Sequence, residues 1–313
     1  MKLKKPKFWD YKKPNFLSYF LLPLTFPLIV NNFFLNLKKK NKVNSKTKKI
    51  CVGNIYIGGT AKTPLTIKIY QILSDLNFKT ATIKKFYSSH IDEQKILTEK
   101  TKLYCLKDRK KALDEAERDN MDVVIFDDGL QDQSMNYDLK FVCFNNKKWT
   151  GNGLLIPAGP LREKIESISK YDVIFLNGNQ NDNTKLKFEI KNYNKDILIF
   201  ESFYKPTNIN LFNINEKYLI FSGIGNPDGF KETLIKNNFN IVKEIIFPDH
   251  HIYDQSDIDK IRFHAKNFNA KIITTEKDYI KITSNENSDI KFLKIELDII
   301  NEEKFINYLK ANI

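Results

Sequence analysis

Short apolar runs alternate along most of the chain with longer stretches in which apolar residues return every third or fourth position. Ile50 to Val52 is one such run, and it opens into a glycine-rich turn. Leu65, Ile69, Ile72, Leu73 and Leu76 then fall near helical spacing and predict a helix from Lys62 to Leu76. Further strands are predicted at Thr80–Ile83, Leu139–Phe144 and Val173–Leu176, with a charged helix at Lys110–Asp119. Val123 to Phe126 is apolar at every position and ends in two aspartates, as strands buried on both faces of a parallel sheet do. From Lys217 the pattern restarts: a strand (YLIFSG), a turn (GIGNPDG), a helix near Phe230–Asn237, a strand (IVKEIIF), a loop (PDHHIY), a helix at Asp257–Phe268 and a strand (KIITT). Alternating strands and helices predict an α/β protein with a parallel sheet in each of two lobes. The expected boundaries are an arm over 1–48, a first lobe over 49–210 and a smaller lobe over 211–313. Within them, 41–48 (NKVNSKTK) reads as a polar linker and Asn181–Asn215 as a connecting region, with the last helix packing back on the first lobe.

A length of 313 residues accommodates two such lobes with separate cores. Charge changes the picture more. Residues 1–49 hold 13 lysines against the single Asp10, so nearly all of the net charge of +13 sits there and the body is close to neutral. A protein that coats nucleic acid spreads its basic residues over the folded body, so no nucleic-acid partner is expected. Cys51, Cys105 and Cys143 show no C-x-x-C spacing and read as reduced thiols. Nothing in the sequence sets the oligomeric state.

Phe16 to Leu37 contains no charged residue and is long enough to span a bilayer. Pro23 and Pro27 interrupt it, Asn31, Asn32 and Asn36 make one end polar, and lysines flank both sides (Lys12, Lys13; Lys38, Lys39, Lys40). No small-residue cleavage site follows. The expectation is an arm lying in the membrane interface. Phe8, Trp9, Tyr19, Phe20, Leu21, Leu22 and Phe26 would enter the headgroup boundary, and each lysine would gain about 1 kcal/mol from anionic lipid. A spanning helix and a helix packed on the domain are the alternatives.

The segment VGNIYIGGTAKTP lies between a predicted strand and a predicted helix, the context a phosphate-cradling loop needs. Gly58, Gly59, Thr60 and Ala61 would turn backbone N–H groups toward anionic oxygens at the helix N-terminus. Lys62 would reach the β and γ phosphates of a nucleotide, and the Thr63 hydroxyl would take Mg²⁺. Ala61 stands where such loops usually carry glycine, which is tolerable if its φ is negative. An ordinary glycine-rich turn with an exposed lysine is the alternative. Asp127 and Asp128 end a buried strand where ligands bind in open α/β sheets, and would serve Mg²⁺ or merely form an Asp-Asp-Gly turn.

Several motifs in order resemble the tetraacyldisaccharide 4′-kinase (lipid A 4′-kinase) family. They are FW near the start, VGN-x3-GG-x-x-KTP, DDGLQ, GNG-x-L-x-PAGPLRE, GIGNP-x-x-F, FPDHH and TEKD. The resemblance implies a P-loop NTPase-like kinase lobe, a smaller α/β lobe and an N-terminal membrane-interface helix. It implies transfer of the ATP γ-phosphate to the 4′ hydroxyl of a tetraacylated glucosamine disaccharide at the cytoplasmic face of the inner membrane. By position, it makes Lys62 and Thr63 the phosphate and magnesium residues and Asp127 and Asp128 the acidic pair, with Arg162 a basic group near phosphate or substrate. An aspartate–histidine dyad falls on Asp92 and His250, with Glu93 beside it as a metal candidate. On these boundaries the dyad spans two lobes, which would have to close on each other. The alternatives are a metal cluster or a surface turn at Asp249, His250 and His251, and a solvated helix start at Asp92–Glu93. The chain departs from the family pattern at Ala61, at Lys84–Ser88 where Ser-Arg-Gly-Tyr-Gly is usual, and at Asp132 where histidine is usual. These departures leave room for a weakened homologue that binds nucleotide or lipid, or for a kinase of another lipid sugar.

Overall fold

The structure is a computed structural model that describes residues 5–37, 45–132, 134–178, 182–282 and 288–313. Lys38–Lys40, residues 41–44 of the 41–48 linker and Asn181 lie outside the described residues. Two short helices come first, α1 (Phe16–Leu21) and α2 (Phe26–Leu37). The chain continues through β1 (Lys48–Gly53), α3 (Lys62–Asp75), β2 (Thr80–Lys85), α4 (Ile91–Lys100), β3 (Leu103–Leu106), α5 (Arg109–Arg118), β4 (Val123–Asp127), β5 (Leu139–Asn145) and β6 (Val173–Asn177). It then forms α6 (Thr184–Tyr193), β7 (Leu198–Pro206), β8 (Lys217–Ser222), α7 (Pro227–Lys236), β9 (Asn240–Ile246) and α8 (Gln255–Asn267). Last come β10 (Lys271–Thr275), α9 (Glu276–Tyr279), β11 (Ile290–Leu293), β12 (Ile295–Ile299) and α10 (Glu302–Asn312).

The strands make two sheets, ordered β12-β7-β6-β5-β1-β4-β2-β3 and β11-β10-β8-β9. From β7 to β3, and throughout the smaller sheet, neighbouring strands are parallel. The chain separates into two compact units. The larger comprises Lys5–Phe86, Lys100–Phe203 and Asp298–Ile313; the smaller contains Tyr87–Glu99 and Tyr204–Leu297. Two differences from the sequence reading follow. The span read as a connection holds α6 and a strand of the large sheet, β7, which lies between β12 and β6. The segment with α4 groups with the smaller unit, because the chain leaves the large sheet after β2 and returns at Lys100.

In the larger unit β1 and β4 are the inner strands, buried along nearly their whole length. Ile55, Val142, Ile174 and Ile190 belong to one core cluster, and Cys51, Ile83, Val124 and Phe126 to another. Burial pushes the Cys51 and Cys143 thiols up, as inert core cysteines. Helix α10 inserts Phe305 against Phe141, Phe175 and Phe200, with ring centroids 5.1–5.9 Å apart. In the smaller unit, alternate residues of β8 feed opposite faces. Leu219 and Phe221 meet Ile258 and Ile261 of α8, while Tyr218 and Ile220 meet Phe230 and Leu234 of α7.

The arm residues up to Leu37 belong to the larger unit. The Trp9 indole donates to the Pro157 carbonyl at 3.0 Å, Asn152 Nδ2 to Ser18 Oγ at 2.9 Å and Asn32 Nδ2 to the Arg162 carbonyl at 3.1 Å. Trp9 is therefore buried, a correction to its expected place among the membrane-facing side chains. Tyr19, Phe20, Leu22 and Phe26 are exposed as expected, joined by Phe16, Leu17 and Leu24. Pro23 opens a 3₁₀ turn between α1 and α2, and no helix of the described residues is long and apolar enough to cross a membrane.

Candidate active site

The loop from Asn54 to Ala61 joins β1 to α3 at the C-terminal edge of the large sheet. Gly58, Gly59 and Ala61 take left-handed backbones, with φ of 84°, 47° and 68°. The expectation of a negative φ at Ala61 is thus corrected: the residue before Lys62 holds the glycine-type turn with a methyl group in place. Asn54 Nδ2 donates to Thr60 Oγ1 at 2.9 Å across the loop. The PAGPLRE segment is stitched to its outside, the Arg162 amide donating to the Ile55 carbonyl and the Ile57 amide to the Pro160 carbonyl.

β4 delivers the acidic pair beside this loop, since its register sets Asp127 opposite Val52 of β1. Asp127 is fully buried and accepts from Thr63 Oγ1 at 3.0 Å and Thr66 Oγ1 at 3.3 Å. Asp128 has φ 58°, which turns its carboxylate away from Asp127's strand direction toward two cations. Lys62 Nζ stands 3.8 Å from its Oδ2, and Arg162 Nη1 donates to its Oδ1 at 3.1 Å. The larger unit thus brings together Lys62, Thr63, Asp127, Asp128 and Arg162.

Several partners escaped the sequence reading. Arg109 of α5 donates to the Asp128 carbonyl at 2.7 Å and pairs with Asp132 at 2.9 Å, which gives the aspartate after DDGLQ a structural partner. Gln131 bridges Arg162 and Glu163. Lys84 of β2 contacts Asp127 Oδ2 at 2.5 Å. Gln131 and Glu163 lie inside recognised motifs, so motif membership was their signal. Lys84 was marked only as a departure from the family pattern, and Arg109 carried no signal.

Asp92 and His250 occupy the smaller unit together, a correction to their expected placement in different lobes. His250 Nδ1 lies 3.0 Å from each carboxylate oxygen of Asp92. Asp92 is buried, so the solvated helix start is excluded. The loop that carries His250 is held by the TEKD aspartate. Buried Asp278 accepts from the Gly223 amide at 3.0 Å and from Thr275 Oγ1 at 2.7 Å, and the His250 amide donates to the Gly223 carbonyl at 3.1 Å. His250 itself sits at φ 57°, and its ring stacks on His90 with centroids 4.3 Å apart. Lys277 pairs with Glu93 at 3.0 Å and lies 3.6 Å from Asp92 and 3.8 Å from Asp249. Those carboxylates raise the Lys277 ammonium against the opposing effect of burial. His251 turns away to Asp257 at 2.7 Å. Among the described residues, His90, Glu93 and His250 are the His, Cys, Asp and Glu side chains with metal-ligand spacing.

A glycine loop between β1 and α3, with paired aspartates ending the adjacent parallel strand, defines the α/β class of P-loop kinases. The chain belongs to the LpxK family, tetraacyldisaccharide-1-P 4′-kinase, whose pattern it matches over residues 18–313. It is 49% identical to the tetraacyldisaccharide 4′-kinase of Pelagibacter ubique (strain HTCC1062), over 99% of this chain and 98% of that one. It is 34% identical to that of Rickettsia canadensis (strain McKiel), over 96% and 95%. Its fold is similar to a crystal structure of LpxK from Aquifex aeolicus in complex with ATP, with TM-score 0.66, 21% identity and coverage of 95% and 99%. The chain is accordingly a kinase of lipid A biosynthesis.

The left-handed Ala61 carries a steric penalty that glycine would relieve, less the extra freedom glycine gives the unfolded chain. Ala61→Gly is expected to stabilise the larger unit by about 0.5–1 kcal/mol, read from urea unfolding. An unchanged or lower midpoint would show that methyl packing compensates.

Burial alone would push the Asp92 carboxyl up, but the His250 hydrogen bond and the Lys277 charge outweigh it and hold the group at about 2. Because the folded value lies below the ordinary one, the stabilisation is present above about pH 4 and is lost as pH falls through about 2. Asp92→Asn should cost the smaller unit about 2 kcal/mol at neutral pH, with the gap closing between about pH 4 and 2. Urea titrations followed by circular dichroism across that window check this, and a gap that stays constant refutes the coupling.

Proposed function

We propose that the larger unit's cluster binds the triphosphate of ATP and that the Asp92–His250 pair activates the 4′ hydroxyl of a tetraacylated glucosamine disaccharide 1-phosphate. The observation that carries this reading is the convergence of Lys62, Thr63, Asp127, Asp128 and Arg162 at the N-terminus of α3 and the C-terminal edge of β4. Gly58, Gly59, Thr60 and Ala61 turn backbone N–H groups toward phosphate oxygens, Lys62 grips the β and γ phosphates, and Arg162 adds a second cation. The hydroxyl oxygen bonds to the γ phosphorus as the β–γ bridge breaks, the hydroxyl proton passes to the dyad, and ADP leaves. A carboxyl held at about 2 is a weak base alone. His250 Nδ1, 3.0 Å from each oxygen of Asp92, holds and polarises that carboxylate, so the pair takes the proton together.

The donor set fits Mg²⁺. Thr63 Oγ1 and Asp127 Oδ2 are 3.0 Å apart, close to the edge of an oxygen octahedron with bonds of about 2.0–2.1 Å. When bound, the ion neutralises phosphate charge. Glu93 pairs with Lys277 and stands beside two imidazoles, a nitrogen-rich setting unlike a magnesium site, so we assign it to balancing Lys277.

The exposed apolar side chains of α1 and the following turn favour a peripheral seat on an anionic lipid surface, the cytoplasmic face of the inner membrane. Phe16 and Phe20 are 81% and 71% exposed while Ser18 between them is buried, so one side of the helix is anchored and the other is left open.

Two experiments test these readings. Purified protein should transfer phosphate from labelled ATP to a tetraacyldisaccharide 1-phosphate, with Lys62→Ala lowering the rate at least about 100-fold. Absent transfer, or transfer indifferent to the substitution, rejects the kinase assignment. Vesicles containing phosphatidylglycerol should sediment the protein, and a Phe16→Ser, Phe20→Ser double variant should remain largely in the supernatant. Equal sedimentation of the two proteins rejects the lipid-facing role of α1.

A further inference from the structure

Lys84, the penultimate residue of β2, lies directly beside Asp127, its partner in the β2–β4 register. Its side chain is 4% exposed and its Nζ lies 2.5 Å from Asp127 Oδ2. That same oxygen accepts from Thr63 Oγ1. An ammonium therefore flanks the two-oxygen seat assigned above to the divalent ion. A buried carboxylate without a countercharge is costly, and here the countercharge is supplied by the chain itself.

We propose that Lys84 is a resident counter-cation of the nucleotide site. It takes over part of the charge balance that Mg²⁺ provides, so nucleotide binding depends on Mg²⁺ less steeply than it would with a neutral residue at this position. The inference rests on reading the loop before α3 as the nucleotide site. A divalent ion approaching Thr63 and Asp127 meets a like charge at short range, which weakens its hold. An incoming triphosphate meets Lys62, Arg162 and Lys84 already in place, which strengthens metal-free binding. Both effects reduce the same quantity, the coupling between ion and nucleotide.

Isothermal titration of a non-hydrolysable ATP analogue, in excess Mg²⁺ and in chelator, gives that coupling as the ratio of two Kd values. Lys84→Met removes the charge at similar length, and Lys84→Gln also keeps a donor for Asp127. The ratio is expected to be at least about tenfold larger in both variants than in the unaltered protein, about 1.4 kcal/mol of added coupling. A ratio unchanged in the variants overturns the proposal, as does an unaltered protein that binds nucleotide only with Mg²⁺. Failure of both variants to fold would leave Lys84 a structural role alone and overturn it too. An unaltered protein that binds no nucleotide under either condition overturns the nucleotide site itself, and is told apart by that result.

Discussion

A carboxylate at the end of a strand buried on both faces has to find its partners among groups the backbone already holds in place. Asp127 is that carboxylate. The parallel registers of β1 and β2 set the partners, because the loop after β1 leads to Thr63 and the end of β2 carries Lys84. Sheet geometry thus fixes the charge pattern at the loop before any ligand enters. Asp128, one residue on, escapes the strand through a left-handed backbone and gathers Lys62 and Arg162 instead. Adjacent carboxylates become two separate ion clusters, which keeps like charges from competing for one cation.

Left-handed backbones recur at Ala61, Asp128 and His250. Aspartate and histidine tolerate this region better than most residues, whereas alanine holds it against a steric cost. In each case surrounding hydrogen bonds over-determine the turn. The His250 amide is tied to Gly223, whose own amide is tied to buried Asp278, so a distant tetrapeptide motif positions His250.

The inner strands were legible because each holds an unbroken apolar run, Ile50–Val52 and Val123–Phe126, and the phosphate loop because glycines cluster between a strand and a helix. Asp92 and His250 were legible only through motif order, since neither periodicity nor charge marks them. What stayed hidden was decided by tertiary contact. The segment carrying α4 looks like any amphipathic helix, and nothing local says which unit it joins. β7 was missed because it alternates half-buried residues beside the polar, lysine-rich α6. Trp9 next to lysines reads the same whether its indole enters a headgroup layer or donates to a buried carbonyl at Pro157. The φ of Ala61 leaves no trace in composition.

Helix α10 has a consequence for how the protein is made. Phe305 completes an aromatic cluster whose other members come from β5, β6 and β7, and the whole of 204–297 intervenes in the chain before it. A nascent polypeptide emerging from the ribosome therefore presents Phe141, Phe175 and Phe200 uncovered throughout synthesis of that insertion. The hydrophobic groove awaiting Phe305 is the surface a holdase chaperone would grip during that interval.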